Sequence, residues 1–165
     1  MPSPTVALDA QPDAAVMALV VQGLTDYNVE RIGERPQYLV VSARDDSGQA
    51  VGGLFGATYC GWLSVQVLWL PAALRGQGLG RRLMEIAETE AVRRACPRVI
   101  LDTLTFQALP FYLALGYRIV CTLPDFPPGR GERYSLTKML GERHSSPGSA
   151  DRRWPEAPGI QGDQA

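Results

Sequence analysis

The chain has 165 residues, of which 45% are hydrophobic and 20% charged, and carries a formal net charge of -1. That length supports one domain with a substantial core, and no apolar run approaches the ~18 residues that span a bilayer. A near-neutral charge lacks the positive field that engages phosphate backbones, so neither a nucleic acid nor a membrane is expected as partner.

The opening Met1-Pro2-Ser3-Pro4 has no basic region running into an apolar one, which gives the expectation of a cytoplasmic protein. Asp13 to Asn28 then places Val16, Leu19, Val20, Leu24 and Tyr27 at helical spacing, with Asp13 suited to the positive end of a helix. Tyr38 to Ala43 reads as a strand, Asp45-Asp46-Ser47-Gly48 as a turn and Ala50 to Tyr59 as the returning strand. In Trp62 to Leu70, Leu63, Val65, Val67 and Trp69 alternate with Ser64, Gln66 and Leu68, which predicts a third strand with the first set on one face. Pro71 ends it.

From Gly78 to Arg94 the period changes, and Leu79, Leu83, Ile86, Ala87 and Ala91 form the stripe of a helix facing a sheet. Pro97 follows, and Arg98 to Leu104 suits a strand pairing parallel after a helical crossover. A short helix over Ala108 to Leu115, stopped by Gly116, and strands at Tyr117 to Leu123 and Arg133 to Leu140 complete a mixed α/β domain. Beyond Gly141 the composition turns to Ser, Pro and Gly, with Trp154 and Ile160 the only large apolar residues. The expected organisation is one domain over 1–141 and a flexible tail over 142–165.

Few side chains suit covalent or metal chemistry. Cys60, Cys96 and Cys121 are odd in number and widely separated, forming neither a disulfide framework nor paired zinc ligands. The single histidine, His144, lies in the polar tail, which removes Ser-His-Asp and Cys-His catalysis and leaves no metal expected.

The most informative stretch is Leu68-Trp69-Leu70-Pro71-Ala72-Ala73-Leu74-Arg75-Gly76-Gln77-Gly78-Leu79-Gly80-Arg81-Arg82, a strand leading through a glycine turn into a helix. Glycines let backbone N–H groups approach an anion, and the helix N-terminus adds roughly half a positive charge, so a pyrophosphate is the natural ligand. A dinucleotide fingerprint needs a small residue where Arg81 or Leu83 stands, and a P-loop needs Gly-Lys-Ser/Thr where Gly80-Arg81-Arg82 stands. Neither register fits.

Arg75, Gly78 and Gly80 match the pattern Arg or Gln, two residues, Gly, one residue, Gly or Ala, and the chain here resembles the GCN5-related N-acetyltransferase (GNAT) superfamily. Phe111-Tyr112-Leu113-Ala114-Leu115-Gly116-Tyr117 is similar to a second block of that family, an aromatic-Tyr pair, three residues, then Gly-aromatic. The resemblance follows the element order over about residues 14–140, although recognisable motifs occupy only 67–83 and 99–117. It implies a mostly antiparallel mixed sheet with splayed central parallel strands and flanking helices. It also implies acetyl-coenzyme A as acyl donor, its pyrophosphate held by the backbone of Arg75, Gly76, Gln77, Gly78, Leu79 and Gly80, with Arg81 assisting electrostatically. The pantetheine arm would run beside Leu68 and Leu70 between strands 62–70 and 98–104, the Leu70 N–H would polarise the thioester carbonyl, and Tyr112 would contact the cofactor and protonate the departing sulfur.

Two departures from the family pattern stand out: many members have Asn where this chain has Thr105, and no carboxylate lies on the 62–70 strand, where several relatives place a glutamate. A water relayed through Tyr59, Gln66 or Asp102 is one route for the amine proton, and the general base stays unassigned. Tyr27, Asn28, Trp62, Phe106 and Asp125 offer aromatic walls and polar anchors for an acceptor, Asp125 favouring a cation. The expected activity is acetylation of a small-molecule amine. A coenzyme-A-binding regulatory domain without turnover and a protein N-acetyltransferase are the alternatives, and a homodimer is left open.

Overall fold

The computed structural model describes residues 4–141, so the expectation of a tail over 142–165, including Trp154 and Ile160, lies outside the described residues. Helix α1 spans Ala14–Ile32; the Asp13 side chain accepts from the N–H groups of Ala15 and Val16, and Gly33 closes the helix in the left-handed region at φ 73°. Strands β1 (Gln37–Arg44), β2 (Ala50–Tyr59) and β3 (Trp62–Trp69) follow, then a single 3-10 turn, helix α2 (Leu79–Arg93) and β4 (Arg98–Leu104). Helix α3 (Leu109–Ala114), β5 (Arg118–Leu123) and β6 (Arg133–Met139) complete the elements of the described residues.

All six strands form one sheet in the order β1-β2-β3-β4-β6-β5. Every neighbouring pair is antiparallel except β3 and β4, the parallel pair joined through the α2 crossover. That parallel pairing covers only Trp62–Val65 against Arg98–Leu101 and then stops, although β3 runs on to Trp69 and β4 to Leu104. The expected splay between the central strands therefore begins after Val65 and Leu101. Each strand stays held on its far side, β3 through Gly53–Trp69 to β2 and β4 through Leu104–Arg133 to β6.

The third strand differs from its predicted pattern. Gly56 pairs Val65 and the adjacent Phe55 pairs Val67, so Gln66 is an extra residue, a bulge that changes which face the following side chains point to. Leu63 and Val65 are buried beneath α2, whereas Val67 and Trp69 turn to the opposite face at 54% and 55% exposure, and Leu68 points into the core instead. Simple alternation over 62–70 put Leu63, Val65, Val67 and Trp69 on one face; one inserted residue reverses that.

Helix α2 covers one face of the sheet, with Leu83, Met84, Ala87 and Ala91 buried against Leu39, Leu54, Leu63, Val65, Val99, Leu101 and Leu136. Ile86, expected in the stripe, is exposed, and Met84 takes the inward position that keeps helical spacing with Ala87 and Ala91. The other face of β1–β3, called here the open face, carries Tyr38, Val40, Phe55, Val67 and Trp69. Among the described residues no helix is long and apolar enough to cross a membrane.

A polar link joins α2 to the far side of the sheet. Glu88 accepts from the Tyr117 hydroxyl at 2.8 Å and from Lys138 Nζ at 2.6 Å, and its side chain is only 13% exposed. Removing a mostly buried carboxylate strands both donors, at a cost of about 3 kcal/mol by analogy with other broken buried pairs. Glu88→Ala is expected to lower unfolding stability by about that amount, read from the midpoint of urea denaturation; a change within ~0.5 kcal/mol would show that water satisfies both donors.

Candidate active site

The glycine turn follows directly from the splay. After Trp69 the chain enters the 3-10 turn Ala72–Leu74, and then Gly76 at φ 74° and Gly78 at φ 78° bring it into α2. Both values lie in the left-handed region that side chains disfavour, and at neither glycine would a Cβ meet another atom within 4 Å. The concavity is open where a phosphate would sit. Gly78 is the N-cap of the 15-residue α2, so the first helical N–H groups point into the same space.

Side chains brace this turn from within. Arg75 Nε donates to the Leu70 carbonyl at 2.9 Å, and Gln77 Nε2 donates to the Ala73 carbonyl at 2.8 Å. Leu70 is buried at the end of β3, and Leu79 packs partly into the core. Gly80 has a different reason to be glycine: a Cβ there would stand 3.3 Å from the Phe111 ring, so its absence lets α2 and α3 pack closely. Arg81 and Arg82 are exposed on the first turn of α2.

The second sequence block is a short helix closed by a Schellman motif. The Gly116 N–H donates to the Leu113 carbonyl at 3.0 Å, the Tyr117 N–H donates to the Tyr112 carbonyl at 3.1 Å, and Gly116 has φ 86°. This places Tyr112 and Tyr117 edge to face, with ring centroids 5.8 Å apart. Burial pushes the Tyr112 phenol above its ordinary pKa. Burial also raises that of Tyr117, helped by the charge of Glu88 and the hydrogen bond to it. Both phenols stay protonated at neutral pH, and a rigid chain Glu88–Tyr117–Tyr112 runs from α2 to α3.

Thr105 and Gln107 have structural partners. The Thr105 hydroxyl donates to the Glu132 carbonyl at 3.2 Å and accepts from the Glu132 N–H at 2.8 Å, tying the end of β4 to the segment before β6. Gln107 Oε1 accepts from the Leu104 N–H at 2.9 Å and lies 3.3 Å from the Thr103 hydroxyl, capping the end of β4.

On the open face beside the splay, Asp102 is held by Ser135 at 2.6 Å and by Arg133. Partial burial pulls its pKa upward, but the hydrogen bonds from Ser135 and Arg133 outweigh it and the carboxyl sits below its ordinary value. Asp102 is therefore ionised and already paired. Arg133 also lies over the Phe126 ring, 5.5 Å from its centroid, which connects the 124–132 loop to this corner.

The acceptor residues expected from sequence scatter. Phe106 is 66% exposed in the turn between β4 and α3. Asp125 accepts from the Gly129 N–H, so its carboxylate shapes its own loop. Trp62 begins β3, with Arg98 over its ring at 5.8 Å, about 23 Å along the strand from Trp69 at the 3.3 Å rise per residue of a strand. Tyr59 pairs with Trp62 at that same remote end. Tyr27 and Asn28 lie on α1, where Arg31 covers the Tyr27 ring at 5.2 Å and no residue of the helix is buried. Leu68, Leu70, Leu79 and Tyr112 share one hydrophobic cluster, and Gly80 at the end of the glycine turn abuts Phe111 and Leu70, whereas no residue of α1 is buried and Trp62 stands at the far end of β3. Glu88, Arg133 and Ser135 escaped sequence reasoning because their roles depend on partners 29 to 50 positions away.

Known proteins match this arrangement. Residues 36–119 fit the family model of the acetyltransferase (GNAT) domain. The chain is 36% identical over 119 residues to acetyltransferase Atu2258 of Agrobacterium fabrum, a match covering 72% of this chain and 87% of that protein. It is 42% identical over 85 residues to blasticidin-S acetyltransferase of Streptomyces morookaense, spanning 51% of this chain and 62% of that one. Among solved structures, an Agrobacterium tumefaciens protein aligns with TM-score 0.77 and 33% identity over 83% of this chain and 100% of its own. An acetyltransferase from Bacillus cereus, 23% identical, shares the fold with TM-score 0.68 over 81% of this chain and 98% of its own. The glycine turn at the head of α2, the splay beside it and these relatives agree, and the chain belongs to the GNAT family of acetyltransferases.

Proposed function

We propose that this protein transfers the acetyl group of acetyl-coenzyme A to an amine of a small molecule by direct attack. The observation that carries this reading is the combination of three features: left-handed Gly76 and Gly78 opening at the N-terminus of α2, the ends of β3 and β4 no longer paired with each other, and a buried Tyr112 in the same hydrophobic cluster as Leu68 and Leu70. The name of the Streptomyces relative specifies acetylation of blasticidin S, which supports a small-molecule acceptor.

Bound acetyl-coenzyme A supplies an activated acyl group as a thioester. The backbone N–H groups of residues 76–80 hold its pyrophosphate, with Arg81 adding positive potential at the rim. Arg75 fixes the Leu70 carbonyl, which orients the adjoining Leu70 N–H as the oxyanion donor. Residues 66–69 of β3 lack a β4 partner and offer backbone groups to the pantetheine arm. As the neutral amine bonds to the carbonyl carbon and the C–S bond breaks, the Tyr112 Oη–H would give its proton to the departing sulfur. The proton shed by the amine nitrogen would pass to solvent, and solvent would reprotonate Tyr112. Its raised pKa keeps the phenol protonated beforehand through neutral and mildly alkaline pH. The acceptor approaches from the open face, where ionised Asp102 attracts an ammonium but, being paired with Arg133, serves as an anchor and not as a base.

Two measurements test the assignment. Asp is among the residues that tolerate a left-handed backbone, and the space at Gly78 is open, so Gly78→Asp is expected to fold while setting a negative charge against the pyrophosphate. Acetyl-coenzyme-A affinity by calorimetry should fall at least ~100-fold, as like-charge juxtaposition predicts; affinity unchanged in a folded variant would remove the phosphate cradle. Tyr112→Phe keeps the ring and removes the hydroxyl. Single-turnover acetyl transfer should slow by roughly 10²–10⁴-fold, with cofactor affinity changed less than about twofold, and a wild-type rate at neutral and alkaline pH would exclude the phenol as the acid.

A further inference from the structure

Helix α1 is the least explained element of the fold. It has 19 residues and none is buried. At 100° per residue, Val16, Met17, Val20, Val21, Leu24 and Tyr27 fall on one side, while Gln22, Asp26 and Glu30 fall on another. All six apolar side chains are between 45% and 64% exposed. A solitary helix of this length is marginal in water, and such a stripe ordinarily packs against something.

A matching surface exists on the open face. Tyr38 is 62% exposed, Val40 71%, Val67 54% and Trp69 55%, and Tyr38 stacks on Phe55 at 5.8 Å to make one continuous apolar plane. The dimensions agree, because a 19-residue helix is about 28 Å long and the eight-residue strands β1 and β3 about 26 Å.

The same chain's α1 is held off this plane by its own connection. Gly33 turns in the left-handed region with its N–H on the Val29 carbonyl at 2.8 Å, Arg35 pairs with Asp26 at 2.8 Å, and the Glu34 carboxylate accepts from the Cys60 N–H at 3.2 Å. Pro36 confines the preceding residue to extended backbone. All four linker residues are thus constrained, and no residue of α1, its stripe included, is buried against its own sheet.

We propose that a second copy of this chain covers the open face: α1 of each copy lies along strands β1–β3 of the other, in a reciprocal dimer with a two-fold axis. The ten apolar residues named on α1 and on β1 and β3 together expose on the order of 1,000 Å² per chain, divided between the two surfaces that the dimer would cover and sufficient for the ~800 Å² per partner of a standard interface. Val67 and Trp69 line the open-face mouth of the cleft between β3 and β4, so the partner's α1 also roofs the acceptor side and brings Tyr27 and Asn28 to it. This last step rests on the acetyl-transfer reading above. The dimer itself does not.

The test uses the full chain with Leu24→Glu on α1 and Val40→Lys on the sheet, both at exposed positions that leave the monomer fold untouched. Sedimentation at micromolar concentrations should show a dimer for the parent chain, and dissociation constants raised about 100-fold or more for each variant alone, because a charge is then buried unpaired. Mixing the two variants should restore a heterodimer, in which the carboxylate introduced on α1 of one copy meets the ammonium introduced on β1 of the other and the second contact is that of the parent chain. A monomeric parent chain overturns the proposal. A Val40→Lys variant that dimerises normally also overturns it, since α1 would then be pairing with something other than the sheet. Calorimetry with acetyl-coenzyme A on the monomeric variants separates the two readings: retained binding is expected with or without the interface, whereas no binding in the parent chain would count against acetyl transfer alone.

Discussion

The feature on which the rest of this structure depends is the end of pairing between β3 and β4 after Val65 and Leu101. A sheet normally completes its ladder, because an unpaired backbone N–H or C=O shielded from water is costly. Here the two strands part while each stays anchored on its outer edge, β3 to β2 and β4 to β6. The bulge at Gln66 coincides with the parting and re-aims the strand where the pairing is lost. The result is a slot in the centre of the sheet whose walls are backbone groups, a geometry suited to an extended, amide-containing ligand. Directly past its end come Leu70, the glycine turn and the head of α2.

Much of the helix-covered face keeps that slot in register. Arg75 holds the Leu70 carbonyl, the missing side chain of Gly80 lets Phe111 come close, and Tyr112 is wedged against Tyr117, itself fixed by Glu88. A carboxylate on the third turn of α2 holds the Tyr117 hydroxyl, and Tyr117 packs edge to face on Tyr112, the residue proposed above as the acid. The same chain ends at Lys138 on β6, so helix, sheet and site are one mechanical unit.

The two faces of the sheet contrast sharply. Beneath α2 the side chains of Leu54, Leu63, Val99 and Leu136 are essentially inaccessible, while Tyr38, Val40, Val67 and Trp69 opposite them remain largely exposed. A sheet with one face packed and one face wet is common when the wet face is polar. Over β1–β3 this one is apolar, and in the reading proposed above it borders the side from which the acceptor reaches the slot. On that reading substrate entry and assembly share one surface, which ties specificity to whatever covers it.

Local chemistry made much of this protein legible in its sequence. The left-handed turn needs glycine at 76 and 78, the Schellman closure needs Gly116 after Tyr112, and both leave marks that survive without tertiary context. Element order and the parallel crossover followed from periodicity, because period 2 and period 3.6 are properties of neighbouring residues. Three things were decided only in three dimensions. The bulge at Gln66 leaves no local sign, since a single extra residue is visible only against a partner strand, and it moved Val67 and Trp69 off the core face. Trp62 read as an acceptor-side residue and Tyr59 as a proton-relay candidate, and strand register puts both at the remote end of β3. Helix α1 read correctly as a helix, yet its apolar spacing did not say what it packs against. Periodicity reports that a face is apolar, and the partner of that face is set by contacts far along the chain, or on another chain.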